Sequence, residues 1–153
     1  MVQRIYIDTS VVGGYFDEEF KEPTCRLFER LSDGEVKFVI SDLLELELIQ
    51  SPKKVKELLL QFPSDRFERV ELTDSVMVLA DKYIAEKVVG RTSLVDCRHI
   101  AFATINKVDA LASWNFKHIV NLNKIKGYNS VNLKLGYSQI EIRTPQELVN
   151  YGD

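Results

Sequence analysis

Apolar positions along the chain follow two periods. Short β-like runs occupy residues 4–8 (RIYID), 36–40 (VKFVI), 69–72 (RVEL), 110–114 (ALASW) and 139–143 (QIEIR), and helical spacing fills most of the gaps between them. Glu22-Pro23-Thr24 leads into Leu27, Phe28 and Leu31 and stops at Asp33-Gly34, with Pro inside the start of a helix and Gly past its end. Ser41 is placed to cap a helix carrying Leu43, Leu44, Leu46 and Leu48, and Ser51-Pro52 closes it and starts another running to about Phe62. Thr73 opens a helix with Val76, Leu79, Ala80, Tyr83 and Ile84 on one face, ending near Gly90, and Ser93 opens the next, through Ile105.

Strands alternating with helices predict a mainly parallel sheet covered on both faces, because right-handed crossovers place the helices there. The expected class is α/β, a three-layer α/β/α arrangement of about five strands. No Pro/Gly/Ser linker, repeat or low-complexity segment divides the chain, so one domain over residues 1–153 is expected. In such sheets ligands collect outside the carboxyl ends of the strands, which directs attention to the residues just after each run.

Composition narrows the classes. A chain of 153 residues with 45% hydrophobic content suits one sizeable core. A net charge of −3 argues against an evenly basic nucleic-acid coat and leaves local patches open. Cys25 and Cys97 are the two cysteines, far apart in helical or apolar stretches, so neither a disulfide framework nor a zinc site is expected and a reducing cytoplasm is the simplest setting. No run approaches the ~20 apolar residues of a membrane span, and the start lacks the apolar stretch of a signal peptide. A soluble, unprocessed protein without a membrane partner is expected.

The chemistry lies in acids at strand ends. Asp8 ends the first run and is followed by Thr9 and Ser10, which could orient its carboxylate; a turn or N-cap Asp is the equal alternative. Glu47 lies above Leu43 and Leu44 on its helix, whereas Glu45 sits beside Ser41 and Asp42 on a more polar side, so Glu47 is favoured as the inward carboxylate. Asp96 follows Ser93 as in a capping box, but the helix behind it, IAFATI at 100–105, is apolar nearly all round, which aims its first-turn carboxylate at the interior or a cleft. Asn115 follows the fourth run, where it would either form a turn or offer an amide oxygen to a metal or its water. Three carboxylates converging in one cleft raise one another's pKa unless a cation is present. Hard oxygen ligands without a convergent His/Cys set point to Mg²⁺ or Mn²⁺.

Four stretches, IYIDTSVVGGYF, VISDLLELEL, SLVDCRHIAFAT and VDALASWNFKHIV, in this order and spacing, make the chain resemble a PIN-domain ribonuclease of the kind that includes VapC-type toxins. The resemblance covers nearly the whole chain. It implies Asp8, Glu47 and Asp96 as acidic metal ligands, settles Glu47 over Glu45, and places Asn115 where many such proteins carry Asp. It further implies metal-dependent hydrolysis of RNA phosphodiesters, with Thr9 or Ser10 supporting Asp8, an antitoxin protein as partner, and a homodimer. The neutral Asn115 lowers the charge of the site, which should weaken a second ion.

An RNA substrate also needs cations. Residues 110–140 contain no Asp or Glu but carry Lys117, Lys124, Lys126 and Lys134, a local charge of +4, interleaved with Asn121, Asn123, Asn129, Asn132, Tyr128 and Tyr137. This composition suits a single-strand-binding segment; a long solvated loop or hairpin is the competing reading. His118 and Arg98 are further candidate phosphate contacts, whereas His99 and Cys97 are expected inside and Trp114 and Phe116 as packing residues. Two other functions compete: a PIN-fold RNA-binding module that has lost catalysis, and an aspartyl-phosphate phosphatase with Asp8 as nucleophile. The second lacks the Asp-x-Asp pair, since Asp8-Thr9-Ser10 carries no second acid.

Overall fold

In the computed structural model, which describes residues 1–151, parallel pairing of strands decides where every candidate residue lies. The strands are β1 (Gln3–Ile7), β2 (Val36–Ser41), β3 (Phe67–Val70), β4 (Ala110–Ala112) and β5 (Ile142–Arg143), ordered β3-β2-β1-β4-β5 with all neighbours parallel. The helices between and after them are α1 (Thr9–Gly14), α2 (Lys21–Ser32), α3 (Asp42–Ile49), α4 (Lys53–Glu57), α5 (Asp74–Ala85), α6 (Leu94–Ile105), α7 (Leu122–Lys134) and α8 (Pro145–Tyr151). Alternation along β1 sends Ile5 and Ile7 to one face and Tyr6 to the other. The Ile5/Ile7 face, with Phe38, Ile40 and Ala112, packs on residues of α1 to α4 and Val149 of α8. The Tyr6 face, with Val39, Leu111 and Ile142, packs on α5, α6 and α7. The expected α/β/α layering is therefore present.

Strand boundaries differ from the sequence reading for local reasons. The third strand lies two residues earlier than 69–72, pairing Phe38 with Phe67 and Ser41 with Val70. It stops there because the Leu72 N–H leaves the ladder to donate to Asp42 Oδ2 at 3.1 Å. The fourth strand ends at Ala112, since the Trp114 N–H donates to Ser10 Oγ at 2.8 Å. The fifth is reduced to Ile142–Arg143: the Asn129 amide accepts the Ile140 N–H at 2.7 Å and donates to the Ile140 carbonyl at 3.1 Å, holding that end of the run on α7. The helix opened by Thr73 ends at Ala85 rather than near Gly90, with Lys87 in the left-handed region at φ 62° just beyond it.

The segment after β4, read as a loop or an extended binding stretch, forms α7. Asn121 caps it, its side chain accepting the Lys124 N–H at 3.2 Å. Its Asn and Gly content argues against a helix by propensity, but burial of Tyr128, Val131 and Asn132 outweighs that. Gly127 is needed there because a Cβ would stand 2.7 Å from Val88 Cγ1. Both cysteines are free, and no helix among the described residues is long and apolar enough to cross a membrane.

A second close approach ties α1 to the strand ends. A Cβ on Gly14 would lie 2.7 Å from Trp114 Nε1 and 3.0 Å from Thr24 Oγ1, and those two atoms are themselves hydrogen-bonded at 2.9 Å. Gly14→Ala should therefore destabilise the protein by about 1 to 3 kcal/mol through overpacking, despite alanine's better helix propensity. Chemical denaturation measures this; an unchanged or higher midpoint would show that Trp114 can yield.

Candidate active site

The pairing of β1 with β4 in the register Ile7↔Ala112 places the next residues, Asp8 and Ser113, side by side at the carboxyl edge of the sheet. Asp8 is the N-cap of α1 as well as the end of β1: its Oδ1 accepts from the Ser10 hydroxyl at 2.5 Å and the Val11 N–H at 3.3 Å, and its Oδ2 accepts from the Ser113 hydroxyl at 2.6 Å. The carboxylate is thus both the cap and the innermost acid of the edge. Burial pushes its pKa above the usual carboxylate value, against the lowering effects of His99, Ser10, Ser113 and Val11.

Asp96 opens α6 and is half-buried. No capping bond from Ser93 is made, so the capping-box alternative is not realised. Burial raises the Asp96 pKa, the charges of His118 and His99 lower it, Asp8 raises it further, and a hydrogen bond from the Asn115 side chain lowers it. Asp8 and Asp96 therefore sit close enough to feel each other's charge. Asn115 adds a donor to Asp96 while its Oδ1 accepts the His118 N–H at 3.0 Å, and its own N–H donates to Ser113 Oγ at 2.9 Å. It forms the turn and contacts Asp96 at once.

Glu47 arrives from α3 on the other side. Its Oε1 accepts from the Thr9 hydroxyl at 2.7 Å and meets His99 Nε2 at 2.6 Å. Burial pulls its pKa up, but the His99 hydrogen bond and charge and the Thr9 hydroxyl bring it below the ordinary glutamate value. Glu45 instead pairs with Arg69 of β3 at 2.6 Å, which agrees with the helix argument that turned Glu47 inward. The two hydroxyls after Asp8 divide their work: Ser10 holds Asp8, and Thr9 turns to Glu47 rather than supporting Asp8.

His99 lies between the acids. It touches Glu47 directly, and its protonated form would favour ionised Asp8 and Asp96. Sequence reasoning placed it inside but not at the site; Ser113, Tyr6 and Ser41 were missed altogether. Ser113 could have been found only from the β1–β4 register. His99 lies three residues after Asp96 on one helix, a spacing that puts both on one side, and that was the available signal.

The remaining predicted residues are spread. Arg98, two residues from Asp96 on α6, points away from it, and its Nε is buried without a hydrogen-bond partner. His118 is half-buried beside Asp96, with Nδ1 buried and unpartnered. Lys124 donates to the Val88 carbonyl at 2.9 Å, and Lys134 pairs with Glu86. Lys117 and Lys126 stay exposed. Tyr128 and Asn132 are buried and engaged, the tyrosine hydroxyl with the His118 carbonyl at 2.7 Å and the amide oxygen with the Tyr83 hydroxyl at 2.5 Å. They hold α7 to α5 rather than offering bases a stacking surface. Trp114 stacks on Phe20 at 4.2 Å, as a packing residue should, whereas Phe116 is 50% exposed.

Among the described residues no three His, Cys, Asp or Glu side chains stand close enough to clasp an ion by themselves. The chemistry of the donors still fits a hard divalent ion. Mg²⁺ keeps several waters and takes one or two carboxylates, and the mutually repelling Asp8 and Asp96 form such a pair. His99 has both ring nitrogens engaged, so the available donors are oxygens, unlike a zinc site.

No sequence-family profile matches the chain, and no curated protein resembles it significantly in sequence. Solved structures do resemble it. One is VapBC2 from Rickettsia felis bound to a DNA fragment from its promoter, with a TM-score of 0.54 at 14% identity over 92% of this chain and 98% of that one. Another is VapC20 of Mycobacterium tuberculosis, a toxin that cleaves the sarcin-ricin loop, with a TM-score of 0.57 at 12% identity over 90% of this chain and 98% of that one. At these identities the likeness concerns the fold: a VapC-type, PIN-like α/β/α arrangement of nearly the whole chain.

Proposed function

We propose, from the PIN-like fold shared with VapC proteins, that this chain is a metal-dependent endoribonuclease acting as the toxin of a toxin–antitoxin pair. The observation that carries the reading is the approach of Asp8 and Asp96 at the carboxyl edge of the sheet, two carboxylates that burial holds above their ordinary pKa values, Asp96 also through the charge of Asp8. A site that destabilises paired anions in this way is relieved by a cation. The likeness to a VapC toxin that cleaves an RNA loop supports RNA as the substrate. The likeness to a VapBC complex supports an antitoxin as partner. A homodimer belongs to the same reading.

Asp8 and Asp96, with Glu47 and Asn115 beside them, would hold a Mg²⁺ or Mn²⁺ ion, which when bound would acidify water and neutralise charge on the phosphate. The chain's own residues do the rest. Ser10 and Ser113 keep both Asp8 oxygens in one orientation. Asn115 holds Asp96, and Glu47, kept ionised by Thr9 and His99, is placed to accept a proton from water at Oε2, the oxygen those two do not occupy. Lys117 and Lys126, which stay exposed, and His118 beside Asp96 are the candidate phosphate contacts. Lys124 and Lys134, engaged with Val88 and Glu86 just beyond α5, act on RNA binding only through the packing of α7.

The test is cleavage of a panel of structured RNAs with Mg²⁺, Mn²⁺ or chelator. Wild-type protein should cut with either ion and stop in chelator. Asp96→Asn should lower the rate by about a hundredfold or more, by the measure of losing a group that orients a reacting site. Full activity in Asp96→Asn would refute the assignment, and millimolar Mg²⁺ or Mn²⁺ without detectable binding by calorimetry would favour the non-catalytic RNA-binding module.

A further inference from the structure

Behind Glu47 runs a line of buried polar groups that crosses the sheet from α3 to α6. The Leu44 N–H donates to Ser41 Oγ at 3.1 Å, Ser41 Oγ meets Tyr6 Oη at 2.7 Å, Tyr6 Oη meets His99 Nδ1 at 2.6 Å, and His99 Nε2 meets Glu47 Oε1 at 2.6 Å. Tyr6 and Ser41 are fully buried and His99 nearly so. Polar groups on the sheet-facing core side are expensive unless each is satisfied. Three of them in series, in positions where Phe, Ala and Leu would pack, require a reason beyond filling space.

With a neutral His99 ring, hydrogen placement along the line has one consistent solution. An ionised Glu47 only accepts, so His99 Nε2 carries a hydrogen. In the neutral ring Nδ1 is then bare and accepts from the Tyr6 hydroxyl. Tyr6 in turn accepts from the Ser41 hydroxyl, whose oxygen is fixed by the Leu44 N–H. In the neutral ring the opposite tautomer turns a bare ring nitrogen on the Glu47 carboxylate. The start of α3, which carries Glu47, is thereby linked through β1 to the tautomer of the ring that holds Glu47. With the Thr9 hydroxyl on the same Oε1, one carboxylate oxygen is immobilised and Oε2 is left for the reaction.

We propose that Tyr6 and His99 are positioning residues for the reaction at this site, with Ser41 as their anchor: they fix the orientation of the Glu47 carboxylate without touching substrate. The proposal rests on the nuclease reading for what Glu47 does, and on geometry alone for how Glu47 is held. It accounts for a tyrosine in β1 between two isoleucines, and for a histidine buried on α6 alongside the buried Cys97, Ile100 and Phe102.

Two measurements test it separately. In the first, Tyr6→Phe and His99→Leu are compared with wild type in RNA cleavage, at a temperature where circular dichroism shows each fully folded. Both should lower kcat by about 10- to 100-fold, as loss of groups supporting a reacting side chain does, with KM unchanged. His99→Gln, whose amide can still donate to Glu47, should recover most of the loss. Adding Tyr6→Phe to Glu47→Gln should lower kcat no further, because the tyrosine acts through the glutamate. Losses that add, a change confined to KM, or His99→Gln no better than His99→Leu would overturn the proposal.

In the second, ring ¹⁵N NMR of His99 should report a hydrogen on Nε2 in both proteins, with the bare Nδ1 resonance moving toward that of an unbonded ring nitrogen in Tyr6→Phe. A ring signal indifferent to Tyr6→Phe overturns the relay even if the enzyme is active. A wild-type protein that cleaves no RNA overturns the nuclease reading even if the ring responds.

Discussion

Asp8→Asn is expected to abolish RNA cleavage, by at least about a hundredfold, and at the same time to raise the melting temperature at neutral pH in chelator. The two effects have one cause. The Asp8 carboxylate is buried, and burial holds its pKa above the unfolded value near ~3.9. The native state therefore binds this proton more tightly than the unfolded chain does. Its stabilising contribution is complete below the unfolded pKa and is lost as pH rises through the folded one. At neutral pH the protein keeps a desolvated anion that only function requires. Asparagine retains the N-cap to Val11 and a partner for Ser10, yet carries no charge. The excess stability of the variant should shrink as pH falls and vanish below about pH 4. A variant less stable than wild type at pH 7 would mean that the bonds from Ser10, Ser113 and Val11 already outweigh the burial of the charge.

Trp114→Ala should produce the largest loss of stability, about 3 to 5 kcal/mol. The indole is only 8% exposed, stacks on Phe20 at 4.2 Å, donates to Thr24 Oγ1 at 2.9 Å and fills the space over Gly14. Its backbone N–H holds Ser10 Oγ, the same hydroxyl that donates to Asp8. Removing the ring therefore loosens α1 against α2 and the turn that presents Asp8 together. Denaturant unfolding should show the loss, and cleavage under conditions where the variant remains folded should show a lower kcat as well. Retained kcat with the full stability loss would separate the aromatic cluster from the site. Trp114→Phe keeps the stack and loses the hydrogen bond, and should lie between the two.

The pairing of an unfavourable buried acid with a well-packed aromatic support is a stability–function division. Asp8 and Asp96 repel each other, while the surrounding framework of Phe20, Trp114, Tyr6 and His99 keeps them together. In the proposed reaction the destabilised groups are those the chemistry would need, and the stabilising groups are those whose loss moves them.

Local pattern determined a good deal here. The strand and helix alternation specified the α/β class, and the apolar stretch behind Asp96 correctly marked α6 as a buried helix. The i−4 and i−3 leucines distinguished Glu47 from Glu45, because side-chain direction on a helix is a local property. The lengths of β3 and β5 were not legible, since they end where Asp42 and Asn129 take backbone groups from other elements. The α7 helix was hidden by poor propensity and exists because its apolar face is buried. The lysine-rich composition of that segment suggested a continuous RNA path, but Lys124 and Lys134 are engaged with the end of α5.

What the sequence determined by itself is which acids are available and which way each points along its own helix or strand. What the tertiary structure decided is their company: Ser113 beside Asp8 through the β1–β4 register, Thr9 on Glu47 instead of Asp8, and the line from Ser41 through Tyr6 and His99 to Glu47. These residues are far apart in the chain, and parallel pairing with helical crossovers is what brings them together. Periodicity reports the face a residue occupies, and only the packed sheet reports what faces it.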